Sequence, residues 1–369
     1  MENALFFVNK KKDQPPLPGK IIEIRSWKKF QDREDIVFYY SVYDRYVLNF
    51  KDFINIEMIE FLKDNVYSKI VIDNSQEKID VDFILEIQQT AEKFNLNFNQ
   101  ILLVCSDEVQ KKFVEEYVKL WSIQIVCVNF FIGVLHYNNL ERINENFQHN
   151  KKFSMLCRRH RPWRTYLFSK LVDFDLLNDF NFSYHGVDNL VELTDQDIIT
   201  DTELVTGKKS SNKFKEILKH RPFEDQKDNS NVYTEISNLV YKSDIHLTIE
   251  HDRNDEPSYD SIVPGHTFVS EKTYKPIIAK KPFILFSEPG FLKILKQMGF
   301  KTFHPFINEE YDSITGYEIR IGEIIKEIRR ISRLKKEDYE KLLEQCQPIV
   351  EHNYKLAEKI YYKHSWKNL

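Results

Sequence analysis

Glycine is scarce in this sequence, and its scarcity argues against two common kinds of phosphate-binding site. Only 9 of the 369 residues are glycine, and neither G-x-G-x-x-G nor G-x-x-x-x-G-K-[ST] occurs. Both patterns need glycine where the backbone approaches a phosphate closely. A classical dinucleotide-binding loop and a P-loop are therefore not expected.

Cysteine pairs, long apolar runs and an excess of one charge are also missing. The four cysteines include no C-x-x-C pair, so we expect reduced thiols and a cytoplasmic protein. No uncharged apolar run approaches the ~18 residues that a membrane span needs. With 53 Lys and Arg against 57 Asp and Glu, the net charge of −4 creates no overall attraction to nucleic acid.

Short β-branched runs alternate with helical patterns in the first half of the chain. This alternation is typical of an α/β fold with a mostly parallel sheet. The predicted strands are Asp35 to Val42, Lys69 to Asp73, Gln100 to Cys105 and Ile123 to Val128, with helices at Val81 to Phe94 and Glu108 to Trp121. The polar stretch after Asn138 predicts a connection, so the first domain is expected to cover residues 1–150.

The alternation starts again in the second half, which predicts a second Rossmann-like domain over residues 151–345 and a final helix over 346–369. The predicted strands are Lys152 to Cys157, Asn181 to His185, Ile245 to Glu250 and Pro282 to Ser287. The predicted helices are Pro162 to Val172, Ser270 to Ala279, Gly290 to Met298, Tyr317 to Leu334 and one from Glu337 onward. Residues 201–231 are polar and rich in lysine, which predicts a surface insertion or a mobile loop with one short helix.

The first cluster of candidate site residues is basic and lies where a predicted strand meets a predicted helix. Four arginines and a histidine fall within seven residues in CRRHRPWR, which ends at Arg164. Guanidinium groups bind phosphate bidentately, and open α/β sheets bind ligands at the carboxyl ends of their strands. A diphosphate is the natural partner, and a solvated basic patch is the alternative. The candidate donor-binding residues here are Arg158, His160, Arg161 and Arg164.

The second cluster is HTFVSEKTYKP, in which Ser270 is suited to cap the start of a helix. Two lysines fall near this helix start, where the helix dipole favours anions, so a phosphate-bearing ligand is indicated. A carboxylate here can accept hydrogen bonds from sugar hydroxyls, while free N–H groups and a lysine hold a diphosphate. A surface helix with one salt bridge is the alternative. The candidate residues are His266, Ser270, Glu271, Lys272, Tyr274 and Lys275.

Taken in order, these segments resemble the donor-binding half of fucosyltransferase-like glycosyltransferases. The resemblance is carried by FSMLCRRHRPWR, then FSYHG, then FVSEKTYKPIIAKKPFILF. Uncharacterised bacterial and viral glycosyltransferase-like proteins are even more similar, since they share the EKT-x-KPI helix, an HR motif and a late HN motif, here His352-Asn353. The similarity covers residues 152–354, about half of the chain.

The resemblance implies a GT-B fold, in which two Rossmann-like domains with mostly parallel sheets face each other across a cleft. It implies an enzyme that transfers a sugar from a nucleotide-sugar donor to a hydroxyl group of a glycan or glycolipid precursor. Glu271 would contact the ribose or the sugar, and Lys272, Arg158 and Arg161 would neutralise the diphosphate. The donor sugar is not specified, because Met155 to Cys157 stand where the fucosyltransferase pattern is rich in asparagine.

Three carboxylates are candidates for a catalytic role, because an inverting transfer needs a general base for the acceptor hydroxyl. Glu250 closes a predicted strand at the ligand-binding edge, and Asp73 and Asp107 end or follow strands of the first half. No metal cofactor is expected. The two D-x-D matches, Asp80 to Asp82 and Asp173 to Asp175, fall in helical or apolar stretches rather than in a loop.

Three other interpretations stay open at this stage. The acceptor could be a modified DNA base, which would need a basic groove on the N-terminal half or at residues 208–221. The chain could also be a scaffold that keeps a GT-B shell and binds nucleotides or sugars without turnover. The lysines interleaved with Tyr and Trp over residues 354–366 suit either a helix packed across two domains or a peripheral membrane contact.

Overall fold

The chain forms two compact units in a computed structural model. The structure describes residues 5–8, 20–23, 36–41, 49–76, 79, 81–117, 123–188, 191–223, 235–250 and 268–363. The first unit contains the described residues up to Gly133 together with Phe268 and residues 359–363, and the second contains the other described residues. Among the described helices, none is both long and apolar enough to cross a bilayer.

In its described part, the first unit is built on a six-stranded parallel sheet in the order β2-β1-β3-β4-β5-β6. The strands are β1 Leu5–Val8, β2 Lys20–Glu23, β3 Ile36–Ser41, β4 Lys69–Asn74, β5 Ile101–Cys105 and β6 Gln124–Cys127. The helices are α1 Phe50–Phe53, α2 Ile56–Asp64, α3 Val81–Phe94, α4 Glu108–Tyr117 and α5 Phe130–Asn139, of which α5 continues into the second unit.

The central strands of this sheet are buried on both faces, which explains their nearly continuous apolar sequences. Every residue of β3 and β5 is buried. Alternate side chains of each strand point to opposite faces, so Phe38 and Tyr40 belong to one apolar cluster and Val37 and Tyr39 to another.

In its described part, the second unit contains a five-stranded sheet in the order β11-β10-β7-β8-β9, parallel except for β9. The strands are β7 Lys151–Arg159, β8 Phe180–Asp188, β9 Val191–Glu192, β10 Ser243–Ile249 and β11 Phe283–Phe286. The helices are α6 Pro162–Asp173, α7 Asp195–Thr206, α8 Asn212–Leu218, α9 Asn238–Tyr241, α10 Glu271–Ile278, α11 Phe291–Gln297, α12 Tyr317–Ser332 and α13 Lys336–Lys363.

The α/β class with two Rossmann-like units, mostly parallel sheets and long C-terminal helices is confirmed. The described part of the expected surface insertion at residues 201–231 contains the end of α7, which reaches Thr206, and one short helix, α8. Helix α7 begins with a capping box between Thr194 and Asp197 and ends at Gly207 in the left-handed conformation. These are ordinary start and stop signals for a helix, and the lysine-rich composition after them obscured the pattern.

The late His-Asn pair holds the chain between α11 and α12 against the long helix α13. Asn353 is buried, accepts a hydrogen bond from the Lys301 N–H at 2.8 Å and donates one to the Lys301 carbonyl at 2.8 Å. His352 Nε2 lies 3.0 Å from the Gly299 carbonyl oxygen. This geometry gives the motif a structural role.

Gly186 in β8 leads to a prediction about stability. Its φ of +69° strains any residue with a Cβ atom, and that atom would lie 2.5 Å from Ile198 Cδ1 and 2.8 Å from Arg221 Nη1. We expect Gly186→Ala to lower the free energy of unfolding by about 2 kcal/mol. The matched control is Gly207→Ala, which has a φ of +65° and no neighbour within 4 Å of the added atom. Chemical denaturation measures both, and equal losses would mean that the crowding at Gly186 has no effect.

Candidate functional site

The candidate site lies at the carboxyl edge of the second unit's sheet. The parallel strands β7, β10 and β11 end at this edge, followed by His160, Glu250 and Ser287. The Glu250 N–H donates to the Phe286 carbonyl at 2.9 Å, so the ends of β10 and β11 stay paired. Open α/β sheets bind their ligands outside this edge.

The Glu250 carboxylate holds the start of α10. Within the described residues it accepts hydrogen bonds from the Ser270 N–H at 3.1 Å, the Ser270 hydroxyl at 2.7 Å, the Thr273 N–H at 3.0 Å and the Thr273 hydroxyl at 2.7 Å. Its side chain is only 2% exposed. A buried carboxylate with this set of donors has the geometry of a positioning residue, and the catalytic role predicted for Glu250 stays a prediction.

This arrangement corrects one expectation about α10. Free backbone N–H groups at this helix start were expected to hold a diphosphate. The Thr273 N–H instead donates to Glu250, and the Lys272 N–H donates to the Ser270 hydroxyl at 3.3 Å. A carboxylate of the protein therefore occupies the position at the helix dipole that an anion would take. What α10 can offer a ligand is its side chains.

Glu271 and Lys272 are the first two residues of α10 and form a close pair. Glu271 Oε1 lies 3.3 Å from Lys272 Nζ, and the Glu271 side chain is 9% exposed. Burial acts to raise the pKa of Glu271, but the nearby Lys272 and Lys275 ammonium groups and hydrogen bonds outweigh it, so the pKa lies below its ordinary value. Glu271 is thus ionised at neutral pH and can accept hydrogen bonds from hydroxyl groups.

The inner face of α10 is buried against the sheet. Tyr274 and Lys275 are both buried, as is His246 on β10. Burial, helped by the Lys275 charge, lowers the pKa of His246 to about 3, and its Nδ1 lies 2.9 Å from the Ser154 hydroxyl. This part of the predicted donor set lies within the fold rather than at its surface.

His160 belongs to a polar network that fixes the start of α6. Its Nδ1 lies 2.8 Å from the Thr165 hydroxyl, and its Nε2 lies 2.8 Å from Asp201 Oδ2. The Thr165 hydroxyl is also 2.8 Å from the Tyr184 hydroxyl. With both ring nitrogens engaged and the side chain 3% exposed, His160 is suited to position the neighbouring arginines. Sequence analysis missed Asp201, because it lies 41 residues away along the chain.

The arginines surround the N-terminus of α6. Arg161 is the residue before the helix and gives it no side-chain cap, and the proline at the first turn has no N–H. Arg158 is exposed, Arg161 is half-buried and Arg164 is buried. A helix N-terminus with no side-chain cap beside several guanidinium groups suits a phosphate-bearing anion.

The two predicted clusters lie close together in the structure. Burial raises the pKa of the Cys157 thiol to about 11, and the charges of Arg164 and Lys272 act against this rise. Helix α6 with Arg164 begins directly after β7, which pairs with β10. Lys272 Nζ lies 4.0 Å from Glu250 Oε2 at the end of β10. The two cations therefore lie at neighbouring strand ends, although more than 100 residues separate them in sequence. His266, the remaining member of the predicted set, lies outside the described residues.

Asp73 and Asp107 both lie at the carboxyl edge of the first unit's sheet. Asp73 accepts hydrogen bonds from the Tyr39 hydroxyl and from the Ser75 N–H at 2.9 Å, and burial raises its pKa. Asp107 caps α4, because its Oδ1 accepts from the N–H groups of Val109 and Gln110 at 2.8 and 2.9 Å. Burial raises the pKa of Asp107 as well. Both carboxylates are therefore buried and engaged with the protein, and their predicted catalytic roles stay predictions.

Both carboxylates of the second D-x-D match are engaged with the protein. Asp173 lies 3.0 Å from Lys170 Nζ and accepts from the Ser211 hydroxyl at 2.5 Å, and Asp175 pairs with Lys213. Among the residues described, no group of three or more His, Cys, Asp or Glu side chains is arranged to hold a metal ion.

The cations predicted to form a DNA-binding groove are paired with carboxylates. The pairs are Lys208 with Glu318, Lys209 and Lys215 with Glu203, Lys213 with Asp175, Lys219 with Glu216, and Arg221 with Asp195. This pairing leaves little net positive charge on the segment, so the structure gives the DNA alternative no support.

No protein-family model matches this chain, and no curated protein matches it in sequence. Among solved structures, the chain is similar to an alpha,alpha-trehalose-phosphate synthase (UDP-forming) from Burkholderia vietnamiensis, with 10% identity and a TM-score of 0.45 over 91% of this chain and 71% of that one. It is also similar to the trehalose-6-phosphate synthase OtsA, with 11% identity and a TM-score of 0.45 over 94% and 76% of the two chains. A likeness of this size assigns no activity.

Proposed function

We propose that the protein is a glycosyltransferase that uses a nucleotide-sugar donor bound at the carboxyl edge of the second unit. The observation that carries the proposal is that two neighbouring strand ends meet the two basic helix starts. Helix α6, which carries Arg164, begins directly after β7, and Glu250 at the end of the adjacent strand β10 holds the start of α10. Lys272 and the ionised Glu271 are the first residues of that helix start. Cations stabilise a leaving diphosphate, and a carboxylate accepts hydrogen bonds from ribose or sugar hydroxyls.

We propose that the diphosphate binds at the N-terminus of α6 rather than at that of α10. The Glu250 carboxylate already occupies the α10 dipole, whereas α6 begins with Arg161 and no side-chain cap. Arg158, Arg161 and Lys272 would neutralise the leaving group. Stabilising charge on the leaving diphosphate by cations and a helix dipole needs no metal ion, so we propose a metal-independent transfer.

The acceptor is proposed to be a hydroxyl group of a glycan or glycolipid precursor, and the catalytic roles of Glu250, Asp73 and Asp107 stay predictions. Burial raises the pKa of both Asp73 and Asp107, and a general base works best when its pKa approaches the working pH. The division into domains at residues 150 and 345 and the cytoplasmic location stay predictions.

A thermal-shift panel tests the donor proposal. The purified protein is heated with UDP, GDP, CDP, CMP and their sugar conjugates, each with and without EDTA. A ligand at 100 times its Kd adds ~2.7 kcal/mol to the free energy of unfolding, which is roughly 5–10 °C in Tm for a unit of this size. We expect a shift that is selective for one nucleotide and insensitive to EDTA.

Two other outcomes would change the assignment. No shift with any nucleotide contradicts the donor proposal and favours a scaffold without a nucleotide site. Release of free nucleotide from the nucleotide-sugar is followed by chromatography. A nucleotide-sugar that binds but releases no nucleotide favours a binding protein with a GT-B shell.

A further inference from the structure

A second cluster of cations lies on α12, away from the candidate donor site. Lys326, Arg329, Arg330 and Arg333 line a shallow cleft of about 270 Å³. Their spacing of three and four residues places them on one face of the helix. Of these residues Lys326, Arg330 and Arg333 are exposed, and Arg329 is half-buried.

This cleft lies toward the opposite edge of the same sheet. Lys152, at the amino end of β7, donates hydrogen bonds to the Ile331 and Ser332 carbonyls at 3.4 and 2.7 Å. The end of α12 that carries the cations is therefore near the amino ends of the strands. Strand β7 has 9 residues, which separates the two edges by roughly 27 Å. The donor site and the cleft cannot be the same site.

Two of the four cations are held in place by the protein. Arg330 binds Glu327 through Nε to Oε2 at 2.8 Å and Nη2 to Oε1 at 2.6 Å, and it also donates to the Phe306 carbonyl at 3.0 Å. Arg329 stacks over the Phe174 ring at 4.6 Å from its centre. Held side chains lose less conformational entropy when a ligand binds.

The charge on this face is only partly compensated. Glu323 pairs with Lys326, and Glu327 pairs with Arg330. Among the described residues, neither Arg329 nor Arg333 has a carboxylate within ion-pair distance, although they are one helical turn apart. Like charges at this spacing destabilise a helix by a few tenths of a kcal/mol. An anion that bridges the two guanidinium groups would relieve that repulsion and use their bidentate geometry.

We infer that this cleft, defined by Lys326, Arg329, Arg330 and Arg333, binds a phosphate group. Two sources share that chemistry, namely the headgroup of an anionic phospholipid and a free phosphate-bearing molecule. Ile319, on the same face of α12, is 63% exposed, and Phe174 is 45% exposed. Apolar side chains beside a basic stripe favour the lipid surface, because they can enter the headgroup region.

Binding assays on the full chain separate the two sources. The first assay is co-sedimentation with phosphatidylcholine vesicles, with and without phosphatidylserine. The second is calorimetric titration with inorganic phosphate. Each uses the native protein, Arg329→Gln/Arg333→Gln, and the matched pair Lys293→Gln/Lys296→Gln, which removes two exposed lysines from α11.

The arginine pair is expected to weaken binding about 10-fold or more, since each basic residue near an anionic surface contributes ~1 kcal/mol. The lysine pair is expected to change it by less than about threefold. If the arginine pair loses binding only to the anionic vesicles, the ligand is a lipid headgroup. If it loses binding only to inorganic phosphate, the ligand is a soluble phosphate-bearing molecule. The inference is overturned if the native protein binds neither, or if the lysine pair weakens binding as much as the arginine pair.

Discussion

Glu250→Ala is expected to lower the free energy of unfolding of the second unit by about 3 kcal/mol and its Tm by roughly 10 °C. The variant leaves the N–H groups and hydroxyls of Ser270 and Thr273 without their acceptor in a buried place. Each buried donor without a partner costs about 1–3 kcal/mol, less what water can recover. The start of α10 would lose its anchor, and nucleotide binding should weaken with it.

Thermal and chemical unfolding with matched variants check this effect. Glu337→Ala removes an exposed glutamate from the first turn of α13 and should cost at most about 1 kcal/mol. Glu250→Gln keeps one acceptor oxygen, so its loss of stability should lie between those of Glu250→Ala and Glu337→Ala. A Tm for Glu250→Ala within about 2 °C of the native value would show that Glu250 does not hold α10 in place.

Arg161→Ala and Glu271→Ala are each expected to weaken binding of the nucleotide-sugar about 100-fold. A hydrogen bond to a charged group contributes ~1.5–3 kcal/mol, which corresponds to roughly 10- to 150-fold in Kd. Arg161 lies at the start of α6 without capping it, and Glu271 is ionised beside Lys272. Calorimetric titration with the nucleotide identified by the thermal-shift panel measures the loss.

Two controls separate binding from folding. Arg159→Ala removes an exposed arginine at the end of the same strand, outside the predicted donor set, and should keep the native affinity. Glu271→Gln keeps the size of the buried side chain and covers the case in which alanine disturbs α10. Native affinity in folded Arg161→Ala and Glu271→Ala would remove these residues from the site and leave the donor proposal without its main support.

Much of the fold could be predicted because local patterns and tertiary packing agree in it. Helix α3 has the predicted limits Val81–Phe94, and β4 and β5 differ from prediction by one residue at one end. In such segments the periodicity of apolar residues reports burial directly. Helix α7 did not stand out in the sequence, because the polar composition of this region conceals its capping signals.

The sequence could indicate candidate residues for the site but not which partner each of them contacts. Arg161 and Glu271 follow from charge and helix position in the sequence. The sequence does not show that Glu250 holds α10 through Ser270 and Thr273, because 20 and 23 residues separate these partners in the chain. His160 likewise shows its positioning role only through Asp201, which a different helix brings to it.

The sequence sufficed for the α/β class, for the order of most strands and helices and for the two basic clusters, because each of these rests on residues close together in the chain. Only the tertiary structure showed that Arg164 and Lys272 lie at the ends of the neighbouring strands β7 and β10, that Glu250 already occupies the α10 dipole, and that four cations of α12 line a separate cleft. The physical reason is that hydrogen bonds and charge interactions depend on distance in space, and the parallel sheet brings the ends of distant strands to one edge.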